Sequence, residues 1–93
     1  MPVTTQPELV NKESIHQLRF ENKIRVEQHP HLLSQITNAT RLGNSYRSKV
    51  FIFFQDDSGM KKVETTIWAF GEKYICLKGG VWLPIERLVE IKA

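Results

Sequence analysis

The chain has one cysteine, Cys76, which excludes an intramolecular disulfide and any cysteine-rich zinc site. A lone thiol fits the reducing cytosol. No stretch approaches the roughly 20 consecutive apolar residues that a membrane span needs. The opening Met1-Pro2-Val3-Thr4-Thr5-Gln6-Pro7-Glu8 lacks the basic and then apolar regions of a secretory leader. A cytoplasmic location is therefore expected and a membrane one is not, and the sequon Asn38-Ala39-Thr40 reads as chance. Charge of one sign barely dominates: 13 Lys and Arg stand against 10 Asp and Glu, for a net charge of +3. That is too weak a field to impose a polyanionic partner.

Catalytic signatures are missing as well. There is no Ser/His/Asp order, no glycine-rich phosphate loop and no metal-ligand spacing. Gly79-Gly80 is too short to cradle a phosphate and reads as a hairpin turn. His29-Pro30-His31 and His16 have no carboxylate at a fixed offset and no fourth ligand, so they read as exposed polar residues near a helix start. Asp56 and Asp57 are adjacent and form a turn, and Cys76 reads as a half-buried thiol between Ile75 and Leu77. No catalytic residue, no cofactor and no metal is expected, and the chain reads as non-enzymatic.

What is present is ordinary globular material, 41% hydrophobic and 25% charged over 93 residues, enough for one domain. A chain of this size buries only roughly 60 to 65% of its unfolded surface, so a partner or sister subunit adds usefully to a thin margin. Residues 1–13, with Pro2 and Pro7, read as a flexible tail. From Gln17 to Glu27, Leu18, Phe20, Ile24 and Val26 alternate with charged residues, which predicts a hairpin extension over 14–28 that bends at Glu21-Asn22-Lys23. A helix is the rival there, because Ser14 and Gln17 make a capping box. Over 30–42, Leu32, Leu33, Ile36, Ala39 and Leu42 share one side of a helical wheel. This predicts an amphipathic helix with Pro30 in its first turn and Gly43 as its left-handed terminator.

The rest reads as β-structure over 46–92. Val50-Phe51-Ile52-Phe53-Phe54 is apolar on both pleat faces and predicts a central strand covered on both sides. Asp56-Asp57-Ser58-Gly59 turns the chain, Met60 to Phe70 alternates, and Gly71-Glu72-Lys73 turns it again. Short strands follow at Tyr74 to Leu77 and Val81 to Leu83, then a 3₁₀ turn over Ile85 to Leu88 and a last strand over Val89-Glu90-Ile91. Five strands in this order predict a mainly β fold, a small SH3-like or Sm-like barrel led by the helix.

The segment Ile67-Trp68-Ala69-Phe70-Gly71-Glu72-Lys73-Tyr74-Ile75-Cys76-Leu77-Lys78 resembles the middle of the Sm-like bacterial RNA chaperone Hfq family, over roughly positions 30 to 92. In that family too, an Ile-x-x-Phe strand end, a short turn and an apolar strand ending in Leu-Lys follow a hairpin. The chain departs from the family at Thr65, Gly71 and Leu83-Pro84-Ile85, and Lys78 is the residue that carries over. The resemblance implies a small barrel and RNA as a ligand.

Two surfaces follow as expectations. Arg41, Arg47, Lys49, Lys61, Lys62 and Lys78 are candidate phosphate contacts for single-stranded RNA or another nucleic acid, against the plainer reading of a solvated face. Tyr46, Tyr74, Trp68 and Trp82 are candidate stacking rings, against the plainer reading that they belong to the core. Trp68 and Phe70 lie opposite Val63, Thr65 and Ile67 on the pleat, so the helix, the N-terminal hairpin, a sister subunit or a ligand has to cover them. Tyr46, Trp68, Phe70 and Trp82 thus mark the rival reading, a protein-interaction or regulatory surface. Homo-oligomerisation is expected, with the N-terminal hairpin pairing to a neighbour's edge.

Overall fold

Residue alternation sets the first sheet. In the computed structural model, which describes residues 7–93, strand β2 (Val50–Asp56) buries every second residue. Ile52 and Phe54 are wholly inside. It pairs antiparallel with β3 (Gly59–Thr65) and with β7 (Leu88–Lys92), while β1 (Glu8–Leu9) adds parallel to the far edge of β3. β2 is therefore central, as its composition predicts. On its second face Phe51 and Phe53 are partly buried, and Lys62 and Lys92 lie over their rings at 5.6 and 5.7 Å. Long aliphatic stems shield the rings and leave the ammonium groups wet.

The chain then changes sheets. Thr66 alone separates β3 from β4 (Ile67–Phe70), which starts a three-stranded meander with β5 (Tyr74–Leu77) and β6 (Val81–Pro84). A 3₁₀ turn over Ile85–Arg87 returns the chain to β7. Seven strands in two sheets result, and among the described residues no strand ladder closes them into one barrel. Ile52, Phe54, Val63 and Leu88 of the first sheet meet Ile67, Ile75, Leu77 and Leu83 of the second in one core.

Helix α1 (Leu32–Tyr46) packs Leu32, Ile36 and Ala39 onto that core, beside β4 and β7. It runs past its predicted end. Arg47, at φ 54°, is the left-handed terminator, its N–H donating to the Gly43 carbonyl at 2.9 Å. Gly43 serves another purpose inside the helix: a Cβ there would lie 2.5 Å from the Ile67 carbonyl oxygen and 2.8 Å from Thr66 Cγ2. The glycine lets the helix backbone touch the strand at the point where it changes sheets. Pro30 precedes the helix, whose N-cap is His31.

The N-terminal part departs most from expectation. The predicted tail overlaps residues 1–6, which lie outside the described residues, but from Glu8 the chain is paired to Lys61 and Lys62. Lys12–Gln17 form a 3₁₀ helix that buries Ile15. No hairpin follows. Residues 18–28 form no strand or helix and bend at Leu18 and Asn22, and Leu18 and Phe20 pack on the core. The alternation reflects a single strap lying with one face on the protein. Its far end seals the outer edge of β7, where His29 N–H donates to Val89 O at 2.8 Å and Gln28 Nε2 to Leu88 O at 3.0 Å. The Gln35 side chain on α1 accepts the next outward N–H, that of Ile91, at 2.9 Å. An edge satisfied in this way offers few free groups to another strand.

Candidate interaction surface

The second sheet has an inner face, Ile67, Ile75, Leu77 and Leu83, all fully buried. Its register fixes what faces away. Cys76 lies directly across from Ala69 on β4 and Trp82 on β6, and Tyr74 across from Pro84. A bulge between Ile67 and Ala69 puts two β4 residues opposite Cys76, which turns Ala69 outward along with Trp68. Trp68, Tyr74 and Trp82 are 47, 49 and 57% exposed, with Ala69 and the half-buried Cys76 between them. Neither the helix nor the strap covers this face.

The bulge also separates two residues that simple alternation joins. Phe70 pairs with Ile75, so it stands on the inward side, at the open end of the sheet where the core runs out. It is 40% exposed there. Tyr46 sits on the last turn of α1 and is the most exposed ring, at 75%.

Charge is distributed unevenly about this face. At the end bearing the β5–β6 turn, the Lys78 N–H donates to Thr66 O at 2.9 Å, and Thr66 Oγ1 donates to Arg47 O at 3.4 Å. Val50, next to Lys49, pairs with Thr65. Arg47, Lys49 and Lys78, all exposed, are thereby gathered at one end. At the opposite end Glu72, Lys73 and Glu86 surround a depression of about 420 Å³ floored by Tyr74, Pro84 and Ile85.

The other predicted cations are engaged elsewhere. Lys61 is buried beneath the β2–β3 turn, with Nζ 3.4 Å from Asp56 Oδ1, 3.5 Å from Glu8 Oε1 and 3.0 Å from Ser58 Oγ. Lys62 lies over Phe51, and exposed Arg41 donates to Asn38 Oδ1 within α1. The six basic residues do not form one surface. Of the histidines, His29 Nδ1 accepts the backbone N–H of His31 at 3.0 Å.

A polar site that the sequence does not reveal lies at Asp57 and Arg87. Arg87, only 2% exposed, donates to Gln55 O at 3.1 Å, to Asp57 Oδ1 at 2.9 Å and to the Asn22 carbonyl, and it lies over the Phe20 ring at 5.6 Å. Asp57 in turn accepts the N–H groups of Glu21 and Asn22, at 3.0 and 3.2 Å, and its own N–H donates to Arg19 O. This pair fastens the strap. Desolvation pushes the Asp57 carboxyl up, but the Arg87 guanidinium and the two strap N–H groups outweigh it and hold the group below its ordinary value. At Asp56 desolvation acts in the same sense, and Ser58 and Lys61 hold it down. Every buried side-chain nitrogen and oxygen among the described residues has a partner, so the knot leaves no buried polar side-chain atom unpaired. No group of three or more His, Cys, Asp or Glu suited to a metal comes together among the described residues, and no helix is long and apolar enough to cross a membrane.

What the geometry offers to another molecule is thus an aromatic sheet face with charges of both signs around it, and comparison with known proteins matches this chain to no family model, no curated protein and no solved structure.

Proposed function

We propose that this chain is a non-catalytic protein-interaction module whose contact surface is the outward face of β4, β5 and β6. One observation carries the reading: Trp68, Tyr74 and Trp82 stand about half exposed on a single sheet face with only small side chains between them. Rings held this way are rigid, amphipathic anchors that lose little side-chain entropy on binding. The mixed-sign rim of Arg47, Lys49, Lys78, Glu72, Lys73 and Glu86 suits a protein contact better than a uniform polyphosphate.

A second reading, single-stranded RNA or another nucleic acid, draws on the gathering of Arg47, Lys49 and Lys78 around Thr65-Thr66, beside Trp68. Stacking on that ring with phosphates on those cations is the corresponding mode. The finer architecture belongs to the same proposal. β2 to β7 make a bent SH3-like or Sm-like barrel in which β3 and β4 are one strand kinked at Thr66, and the 3₁₀ turn before β7 supports this order. The cytoplasmic setting is proposed from the lone thiol.

The test is a photoreactive benzoylphenylalanine in place of Trp82, expressed in the full chain and irradiated in cells. A protein adduct is the expected result. A nucleic-acid adduct, together with salt-sensitive anisotropy of a short unstructured RNA, transfers the surface to the second reading. Irradiation that yields no adduct of any kind removes both.

A further inference from the structure

We propose that Lys23 and Arg25 of the strap form a processing site for an endopeptidase that cleaves after basic residues, and that the protein stays folded and in one piece after the cut. The inference is independent of the aromatic face and starts from how the strap is held. On one side Asp57 accepts the N–H groups of Glu21 and Asn22, and Arg87 donates to the Asn22 carbonyl. On the other, Gln28 Nε2 donates to Ile85 O at 2.7 Å and His29 N–H to Val89 O at 2.8 Å. Between these fastenings Lys23 to Glu27 form no helix or strand, and no backbone hydrogen bond among the described residues engages them.

An endopeptidase takes the residues around its target bond as an added extended strand, so their backbone groups have to be free of the substrate's own fold. Exposed loops of this kind are where nicking concentrates. Lys23 and Arg25 are both exposed, and neither forms an ion pair among the described residues. Their side chains are therefore available to an acidic specificity pocket. The other exposed basic residues outside helices and strands are tied. The carbonyls of Arg19 and Lys73 accept from Asp57 and Ile85, and the N–H groups of Arg47 and Lys78 donate to Gly43 and Thr66. Lys49 runs directly into β2.

The step is hydrolysis. Water adds across the Arg25–Val26 amide, or the Lys23–Ile24 amide, leaving a carboxylate on the basic residue and a free amine on the next. The N-terminal piece keeps its own anchors after the cut. These are β1 on β3, the buried Ile15, Leu18 and Phe20 packed on the core, and Glu21 and Asn22 on Asp57. The C-terminal piece keeps His29 on β7 and the whole of α1. What is lost is the covalent link, so folding becomes bimolecular and the stability of the cut form falls on dilution. Cutting thus turns an integral segment into an exchangeable ligand of the remaining protein.

Brief digestion of the native full chain with dilute trypsin, followed by intact mass, tests this. The expected first products end at Arg25 or Lys23 and form about tenfold or more faster than any other cut, because the other sites have to open first. The two pieces co-elute in native buffer and part in denaturant, and the thermal midpoint of the cut form falls on dilution while that of the intact chain stays fixed. Lys23→Gln combined with Arg25→Gln, at two exposed positions, retains the midpoint and slows the first cut by about tenfold or more. A first cut after Arg47, Lys73 or Lys78 overturns the site, as does a first-cut rate that ignores the double substitution. Cleavage in the strap followed by unfolding, or by separation of the pieces in native buffer, overturns the two-piece form.

Discussion

Two regions of this small protein reverse the usual distribution of residue types. At the Asp57–Arg87 knot a guanidinium lies 2% exposed, with Nη1 and Nη2 bonded to a carboxylate and two carbonyls. On the outward face of β4, β5 and β6, two tryptophans and a tyrosine stand about half exposed. The contrast shows where the fold invests its specificity. A buried cation is tolerable only when every donor is matched, and matching ties the strap to the turn. An exposed ring needs no such matching, stabilises the monomer little, and is available to a second molecule.

The largest blow to that comparison comes from Arg87→Ala. It strands the Gln55 and Asn22 carbonyls, leaves Asp57 without its counter-charge, and removes the group packed on Phe20. A loss of about 3 kcal/mol is expected in urea unfolding. Hydrogen exchange should rise first at Glu21 and Asn22, where the strap detaches.

Gly43→Ala probes the opposite side of the aromatic sheet. A methyl group 2.5 Å from the Ile67 carbonyl oxygen pries α1 from the strand, at about 1–3 kcal/mol of overpacking. The helix-propensity gain of about 1 kcal/mol offsets this only in part. A net fall in thermal midpoint is the expected reading, and an increase would show that the helix slides freely over β4.

Acid should loosen the knot before the aromatic face. The Asp57 and Asp56 carboxyls are held below their ordinary values in the folded chain. Their contribution is therefore complete above the unfolded-state value, near pH 4, and is lost as the pH falls through the lower folded values. Thermal midpoints measured from pH 7 down to pH 2 should drop at the acid end, and Asp57→Asn should flatten part of that drop.

The smallest effect on stability is expected at the face itself. Trp82→Ala should move unfolding free energy by about 0.5 kcal/mol or less while abolishing most partner binding. A large loss of monomer stability would mean that the ring is packed against its own chain and would undo the contrast.

Much of the β-order was legible because it is written locally. Val50 to Phe54 is an unbroken apolar run, Met60 to Phe70 alternates, and the Asp56 carboxylate closes the Ser58-Gly59 turn with three bonds of 2.9 Å, a short-range device that adjacent residue types announce. Trp68 and Trp82 were legible only as candidate surface rings, beside the plainer reading that places them in the core. Phe70 was misplaced beside Trp68, because a bulge adds one residue to one strand and leaves no mark in the alternation. Gly43 looked like a helix terminator from its type alone, and only the approach of Ile67 shows why it is glycine.

The strap was misread for a related reason. Leu18, Phe20, Ile24 and Val26 report one buried side and do not say what supplies the backbone's hydrogen-bond partners. Those partners are a side chain 35 and 36 residues away for Asn22 and Glu21, and an arginine 65 residues from Asn22. Arg87, in Ile85-Glu86-Arg87-Leu88, looks like any surface cation.

By itself the sequence determined the elements: period two for the strands, a one-sided apolar stripe for the helix, and Asp and Gly at the turns, all properties of neighbours within a few residues. Only the tertiary structure decided that Lys61 and Arg87 go inside, that two sheets form with Thr66 at the crossing, and that Trp68, Tyr74 and Trp82 share one open face. Those outcomes depend on which distant groups are close enough to match a charge or cover a ring, and that is settled by packing in three dimensions.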